Sequence, residues 1–175
     1  MSNDLDIVLD AARQLQQESN VCFVLVGDGK EKAVLQGRAE ELRLENVLFL
    51  PPVPKNGMAE VLAAADACLA ILKPLDLYKT TYPNKVFDYM AAGRPVVLAI
   101  DGVIRTVVEA ADAGIFTPPG DARAMAQAVE TLAADPQTAK RKGANGRQYI
   151  SRFFARPALA RQLTLLLEDM WRQHG

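Results

Sequence analysis

Thr80-Thr81-Tyr82-Pro83-Asn84-Lys85-Val86-Phe87-Asp88-Tyr89-Met90-Ala91-Ala92-Gly93-Arg94-Pro95-Val96-Val97-Leu98 decides how the rest of the chain is read. Pro83 suits the first turn of a helix, where a missing N–H costs nothing. Thr80, Thr81 and Tyr82 precede it as cap or loop residues. Val86, Phe87, Met90 and Ala91 recur at helical spacing and predict one apolar face. Gly93 ends the helix, because glycine takes the left-handed conformation that a C-terminal cap needs. Pro95-Val96-Val97-Leu98-Ala99-Ile100 then reads as a strand buried on both faces. Lys85 and Asp88 are neighbours on the first turn of that helix. Unpaired backbone N–H groups favour an anion there. Two readings stay open on chemistry alone. In one, the backbone and Lys85 take a phosphate while Asp88 takes ribose hydroxyls. In the other, Lys85 and Asp88 form a surface ion pair on an ordinary helix.

Moving outward, the same alternation of helix and apolar strand extends both ways. Upstream, Asn3 or Asp4 caps a helix to about Gln17, with Leu5, Val8, Leu9, Ala12 and Leu15 as its buried stripe. Val21 to Val26 is a fully apolar strand, Gly27-Asp28-Gly29 a turn, and Lys30 to Leu44 a helix. Val47 to Leu50 is a strand, followed by a loop from Pro51 to Gly57 in which three prolines forbid a regular element. A helix from Met58 to Ala65, the strand Ala67 to Leu72 and a polar loop from Lys73 to Thr81 lead into the central stretch. Downstream come a helix over 104–111, the strand Gly114 to Thr117, and a turn at Pro118-Pro119-Gly120. A helix capped by Asp121 follows to Ala134, another opens at Asp135-Pro136 and runs to Phe154, and a last opens at Pro157 and runs to Arg172. The strands lack in/out alternation. Alternating helices and continuously apolar strands predict a Rossmann-like α/β three-layer sandwich with a parallel sheet.

The chain has 175 residues and half of them are apolar, which suits one domain or one large lobe. With a formal net charge of −1, no basic face is called for and nucleic acid is not an expected partner. Cys22 and Cys68 each fall inside a predicted strand and read as core residues rather than metal ligands; free thiols fit a reducing compartment. No signal peptide or bilayer-length apolar run is present in this sequence. His174, the single histidine, sits beside the C-terminus and is not read as catalytic. No Ser/His/Asp set, Cys/His pair or metal-ligand spacing occurs, so no metal site is predicted and the catalytic residues are unknown. Gly27-Asp28-Gly29 lacks the third glycine of a dinucleotide fingerprint. It reads either as a tight turn or as a loop facing a ligand crevice at the strand ends.

A doubly wound unit begins with a strand, and this chain begins with a helix. The expectation is therefore a sheet lacking its first strand in an excised portion of a longer protein, against a natural domain that starts with a helix.

Taken in order, these segments resemble the C-terminal half of a glycosyltransferase family 4 enzyme with the two-lobed GT-B fold. The segments are Gly27-Asp28-Gly29, Asn46 to Leu50, the proline-rich loop, Leu62 to Ala67, Phe87 to Val97, and Gly114 to Asp121. The Tyr82-Pro83-Asn84-Lys85 segment is most similar to bacterial amino-sugar transferases of surface polysaccharide, the fucosamine type of O-antigen and capsule synthesis. The resemblance implies a cytoplasmic retaining transferase of the hexosyl type. It would move a hexose or N-acetyl amino sugar from a UDP-linked donor to a lipid-linked or saccharide acceptor, with no metal or other cofactor. It places the donor lobe at residues 1–156. The helix over 157–175 would cross to a missing N-terminal lobe, which holds the acceptor site and meets the inner membrane; until then part of its apolar face stays exposed. The family carries two glutamates with seven residues between them. The second corresponds to Asp88, for the ribose, and the first to Thr80, a departure that affects the sugar contact. The family's Phe-Gly corresponds to Tyr82-Pro83, and Pro83 has no N–H to donate. Lys85 and Asn84 then fall to the diphosphate, Val53 to the base, and Thr80, Thr81 and Tyr82 to the sugar side. The family's Arg/Lys pair finds no counterpart. The alternatives are a UDP-sugar 2-epimerase lobe and a non-enzymatic nucleotide-binding module; the isolated lobe is expected to be inactive.

Overall fold

The structure is a computed structural model and describes residues 3–18 and 20–174. Helix α1 (Asp6–Gln14) leads into strand β1 (Phe23–Val26), helix α2 (Lys32–Glu41) and strand β2 (Val47–Leu50). Helix α3 (Met58–Ala64), strand β3 (Cys68–Ile71), helix α4 (Asn84–Ala91) and strand β4 (Val96–Ala99) follow. Helix α5 (Val103–Ala110) and strand β5 (Gly114–Phe116) complete the alternation, and helices α6 (Ala122–Ala134), α7 (Pro136–Phe153) and α8 (Arg156–His174) close the chain.

All strand pairings are parallel, but the strands form two sheets, β1-β2 and β3-β4-β5. One core spans both. Phe23 and Val47 of the first sheet, and Ile71, Val97 and Ala99 of the second, are buried together with Val8 and Leu9 of α1 and Met125 of α6. On the opposite face a second cluster covers only the three-stranded sheet. It joins Ala70, Val96 and Leu98 to Met90 of α4 and to Ile104 and Val108 of α5. The expected three-layer α/β architecture is present, and its middle layer is interrupted between β1 and β3.

Helix α7 braces α4 at very close range. A Cβ at Gly143 would lie 2.1 Å from the carbonyl oxygen of Gly93, so only glycine fits. Gly93 itself has φ +71 and ends α4 as expected. Phe87 stacks at a tilt on Phe154, with ring centroids 5.0 Å apart. Asp121 caps α6 by accepting from the Ala124 N–H at 2.9 Å, and Asp135 caps α7 through the Gln137 and Thr138 N–H groups.

Several expectations are corrected. Neither Asn3 nor Asp4 caps α1, whose N-cap position is Leu5. Pro83 is the N-cap of α4 in an extended conformation rather than a residue of its first turn, and no side chain caps that helix. Ala91 is exposed, so the buried stripe of α4 is Val86 and Met90 with Phe87 half-buried. A short 3-10 turn, Lys55–Gly57, forms directly after the last of the three prolines, where Pro54 no longer restricts the backbone. Another, Asp76–Thr80, interrupts the polar loop before α4. Cys22 lies outside β1 and is exposed, while Cys68 is buried and burial pushes its thiol up to about 11. Strand β1 is not buried on both faces: Val24 is 49% exposed, as are Leu48 at 50% and Leu50 at 42% on β2. On α8 the apolar stripe is open as expected, with Trp171 79% exposed. The His174 side chain lies outside the described residues.

Candidate functional site

Parallel strands point all their carboxyl ends to one edge of the fold, and the loops leaving that edge form the crevice of such folds. Here they are Gly27-Asp28-Gly29 after β1, the Pro51 to Gly57 loop after β2, the Asp76–Thr80 turn after β3 and Asp101-Gly102 after β4. Two lysines organise this edge. Lys32 Nζ donates to the carbonyl oxygens of Gly27, at 2.8 Å, and Leu50, at 3.1 Å, which ties the ends of β1 and β2 together. Lys85 Nζ donates to the carbonyl oxygen of Ile71, at 3.3 Å, and to Asn3 Oδ1, at 3.2 Å. Its ammonium therefore sits at the carboxyl end of β3, beside the interruption of the sheet.

The start of α4 carries no negative charge of its own. Its first turn contains no acidic residue and has no side-chain cap. The N–H of Val86 is taken by the Pro83 carbonyl, leaving the helix start itself to Asn84 and Lys85. Burial pulls the Lys85 ammonium below the ordinary lysine value of 10.5. An ammonium has three N–H donors, and Ile71 and Asn3 use two of them. An anion placed against the third would favour the charged form and offset the desolvation.

The ion-pair reading of the first turn fails, because none of the ion pairs among the described residues joins Lys85 to Asp88. Asp88 is exposed one turn along α4. Asn84 is exposed and Pro83 half-buried at the helix start. Tyr82 is exposed, with its ring centroid 6.2 Å from that of Phe87. The hydroxyls of Thr80 and Thr81 both donate to the Leu77 carbonyl, at 3.3 and 3.4 Å, which ties them to their own turn. Val53 is half-buried in the loop after β2, beside Gly57. The structure therefore gathers Pro83, Asn84 and Lys85 at one helix start. Val53 stands on a separate loop of the same edge, and Thr80 and Thr81 are engaged elsewhere.

Sequence reasoning missed Asn3, Lys32 and Gly102. Asn3 carried only a capping signal, and Lys32 only that of a charged residue early in a helix. Gly102 has φ +97, and a Cβ there would lie 2.0 Å from the Lys79 carbonyl oxygen, so the turn before α4 rests directly on its backbone. Among the described residues no group of three or more His, Cys, Asp or Glu side chains could hold a metal ion, and no helix is long and apolar enough to cross a membrane.

A parallel α/β lobe with two lysines, Lys32 and Lys85, hydrogen-bonded at its strand ends is the class that fold and site define. Comparison with known proteins narrows it. Residues 2–135 match the family described as glycosyl transferases group 1, and the chain belongs to that family. It is 30% identical over 173 residues to the Escherichia coli K12 protein named as a colanic acid biosynthesis glycosyltransferase, WcaL, covering 95% of this chain and 42% of that protein. The chain thus spans about two-fifths of the length of that relative, and the same 42% holds for the Salmonella typhimurium WcaL. Among solved structures it resembles Anabaena HepE in complex with UDP-glucose, with a TM-score of 0.80 and 25% identity over 95% of this chain and 45% of that one. It also matches the C-terminal domain of the group 1 glycosyltransferase LpcC from Francisella tularensis, with a TM-score of 0.76 and 15% identity over 89% of this chain and 81% of that domain. The fold is that of the C-terminal lobe of a GT-B glycosyltransferase.

Proposed function

We propose that this lobe binds the nucleotide-sugar donor, UDP-linked, of a retaining glycosyltransferase that acts in surface polysaccharide synthesis. The observation that carries the reading is the half-buried Lys85 ammonium at the uncapped start of α4, on the carboxyl edge of the sheet. Preorganised cationic and N–H groups stabilise a leaving diphosphate without themselves having to reorganise. In this reading Lys85 and Asn84 hold the diphosphate and Asp88 accepts from the ribose hydroxyls. Val53 and its loop take the base, while Thr80, Thr81 and Tyr82 border the sugar. The Salmonella and E. coli relatives named for colanic acid synthesis, and the HepE complex with UDP-glucose, support a polysaccharide role and a UDP donor. The transferred group is a hexose or N-acetyl amino sugar; a fucosamine-type sugar is the narrower reading and rests on Tyr82-Pro83-Asn84-Lys85 alone. In the full enzyme, acting at the cytoplasmic face of the membrane, the open apolar stripe of α8 packs against the N-terminal lobe that holds the acceptor. The isolated lobe is then inactive.

Calorimetric titration with UDP, with ADP and GDP as controls, tests the donor role. UDP is expected to bind selectively. Lys85→Met and Asp88→Ala should each weaken it about tenfold or more, equivalent to about 1.4 kcal/mol. Unchanged affinity in both variants, with the fold intact, would refute the assignment. A pH series adds a sign. The Lys85 value in the fold lies below 10.5, so the cost of burying its charge is fully present below that lowered value and is relieved as pH rises towards 10.5. Diphosphate needs the charged form, so affinity should fall as pH rises through the lowered Lys85 value and stay flat there in Lys85→Met.

A further inference from the structure

We propose that the exposed flank of α7 docks this lobe on an anionic membrane surface. The inference goes beyond the donor reading and stands without it. It starts from where the charges lie along the chain. Residues 136–167 hold seven of the 20 Lys and Arg residues and none of the 21 Asp and Glu residues, leaving 13 basic against 21 acidic elsewhere. The net charge of −1 therefore conceals a basic segment inside an acidic remainder. The expectation that no basic face is called for, drawn from the total alone, is corrected.

The fold presents much of this charge to solvent. Ala139, Gly143 and Gly146 of α7 are buried. At 3.6 residues per turn, Arg141, Gln148 and Arg152 then lie along the opposite side, with Lys140 and Arg147 on one flank of it. All five are exposed. None of the ion pairs among the described residues engages Lys140, Arg147 or Arg152. Two carboxylates border the start of the helix, and both are committed. Asp112 is shared between Arg141 and Lys142, two cations on one anion, and Asp135 caps the helix. At the far end Phe153 is 48% exposed, with the Arg152 guanidinium 5.1 Å from its ring centroid and Tyr149 behind it at 4.7 Å.

This arrangement selects the partner. Cations spread over about 18 Å of helix, from Lys140 to Arg152, match a plane of closely spaced anionic headgroups. An exposed aromatic ring beside an arginine suits the headgroup level, where the ring enters the apolar boundary and the guanidinium stays with the phosphates.

Vesicle co-sedimentation of the 175-residue chain tests this. The chain should bind phosphatidylglycerol vesicles about tenfold or more tightly than phosphatidylcholine vesicles. The difference should vanish near 1 M salt, where the screening length falls to about 3 Å. Lys140→Gln/Arg152→Gln, at exposed helix positions that glutamine tolerates, should weaken binding to phosphatidylglycerol about tenfold or more. Arg13→Gln/Lys30→Gln removes the same charge from exposed positions on α1 and before α2, and should leave binding unchanged. Equal binding to both kinds of vesicle would overturn the proposal, as would equal losses in the two double variants. Full binding in Lys140→Gln/Arg152→Gln with loss in Trp171→Ala would move the contact to α8 and overturn it too. Equal affinity for duplex DNA would show an unselective polyanion surface and overturn the lipid assignment.

Discussion

The sequences of β2 and β4 are almost equally apolar, Val-Leu-Phe-Leu and Val-Val-Leu-Ala, yet they meet different fates. All four residues of β4 are fully buried, between α1 and α6 on one face and α4 and α5 on the other. On β2 the residues alternate: Val47 is buried, Leu48 is half exposed, Phe49 is partly covered and Leu50 is exposed. The difference teaches that burial belongs to the neighbours of a strand rather than to its residues. The three-stranded half has helices locked on both faces, and the two-stranded half has one.

The largest expected effect breaks the lock. Gly143→Ala would drive a Cβ against the Gly93 backbone and should destabilise the fold by about 3 kcal/mol or more. Gly37→Ala in α2, where a Cβ meets nothing within 4 Å, should stabilise by about 0.5–1 kcal/mol through helix propensity alone. Denaturant midpoints measure both, and shifts of the same sign would show that the two halves are packed alike. Next, Leu98→Ala in β4 should cost about 2–5 kcal/mol as a core cavity. Leu48→Ala, half exposed, should cost less than about 1 kcal/mol by the area it leaves to water. Equal losses in thermal or chemical unfolding would mean that the open face of β2 is covered in solution.

The smallest effect concerns how the closed half is pinned. Asp112 accepts from Lys142 Nζ at 2.5 Å and from Arg141 at 2.6 Å, which fastens the turn before β5 to α7. The Lys142 hydrogen bond leads in holding its carboxyl below 3.8. The sign follows: the stabilisation is present above 3.8 and is lost as pH falls through the lower folded value. Half exposure limits it to about 1 kcal/mol or less. Asp112→Asn tolerates the local φ of 46 and should flatten the acid limb of stability by that amount. An unchanged acid limb would remove Asp112 from the pinning.

Much of the closed half was legible in the sequence. Val96 to Ala99 is continuously apolar, Gly93 marks a helix end, and Asp121 and Asp135 announce the caps they make. The position of Lys85 at a helix start was legible too. What held its ammonium was not, because the Ile71 acceptor is a backbone atom that no residue type signals, and Asn3 lies far away in sequence. The exposure of Val24 and the surface position of Cys22 were illegible for a related reason. An apolar run specifies that a strand can be covered, and only the whole layer of neighbours specifies whether it is. The expectation of a sheet without its first strand came from the order of elements.

The packing of α1 against α6 has a consequence for how this chain is made. The first helix finishes at Gln14, and the helix that seals it begins at Ala122. At about 5–20 residues per second of synthesis, roughly 5–20 s separate the two on the ribosome. Through that interval Val8, Leu9, Ala11 and Ala12, all fully buried in the finished fold, have no complete partner surface. The lobe is therefore expected to close late and cooperatively. Limited proteolysis of stalled nascent chains should find α1 open to cleavage until α6 has emerged.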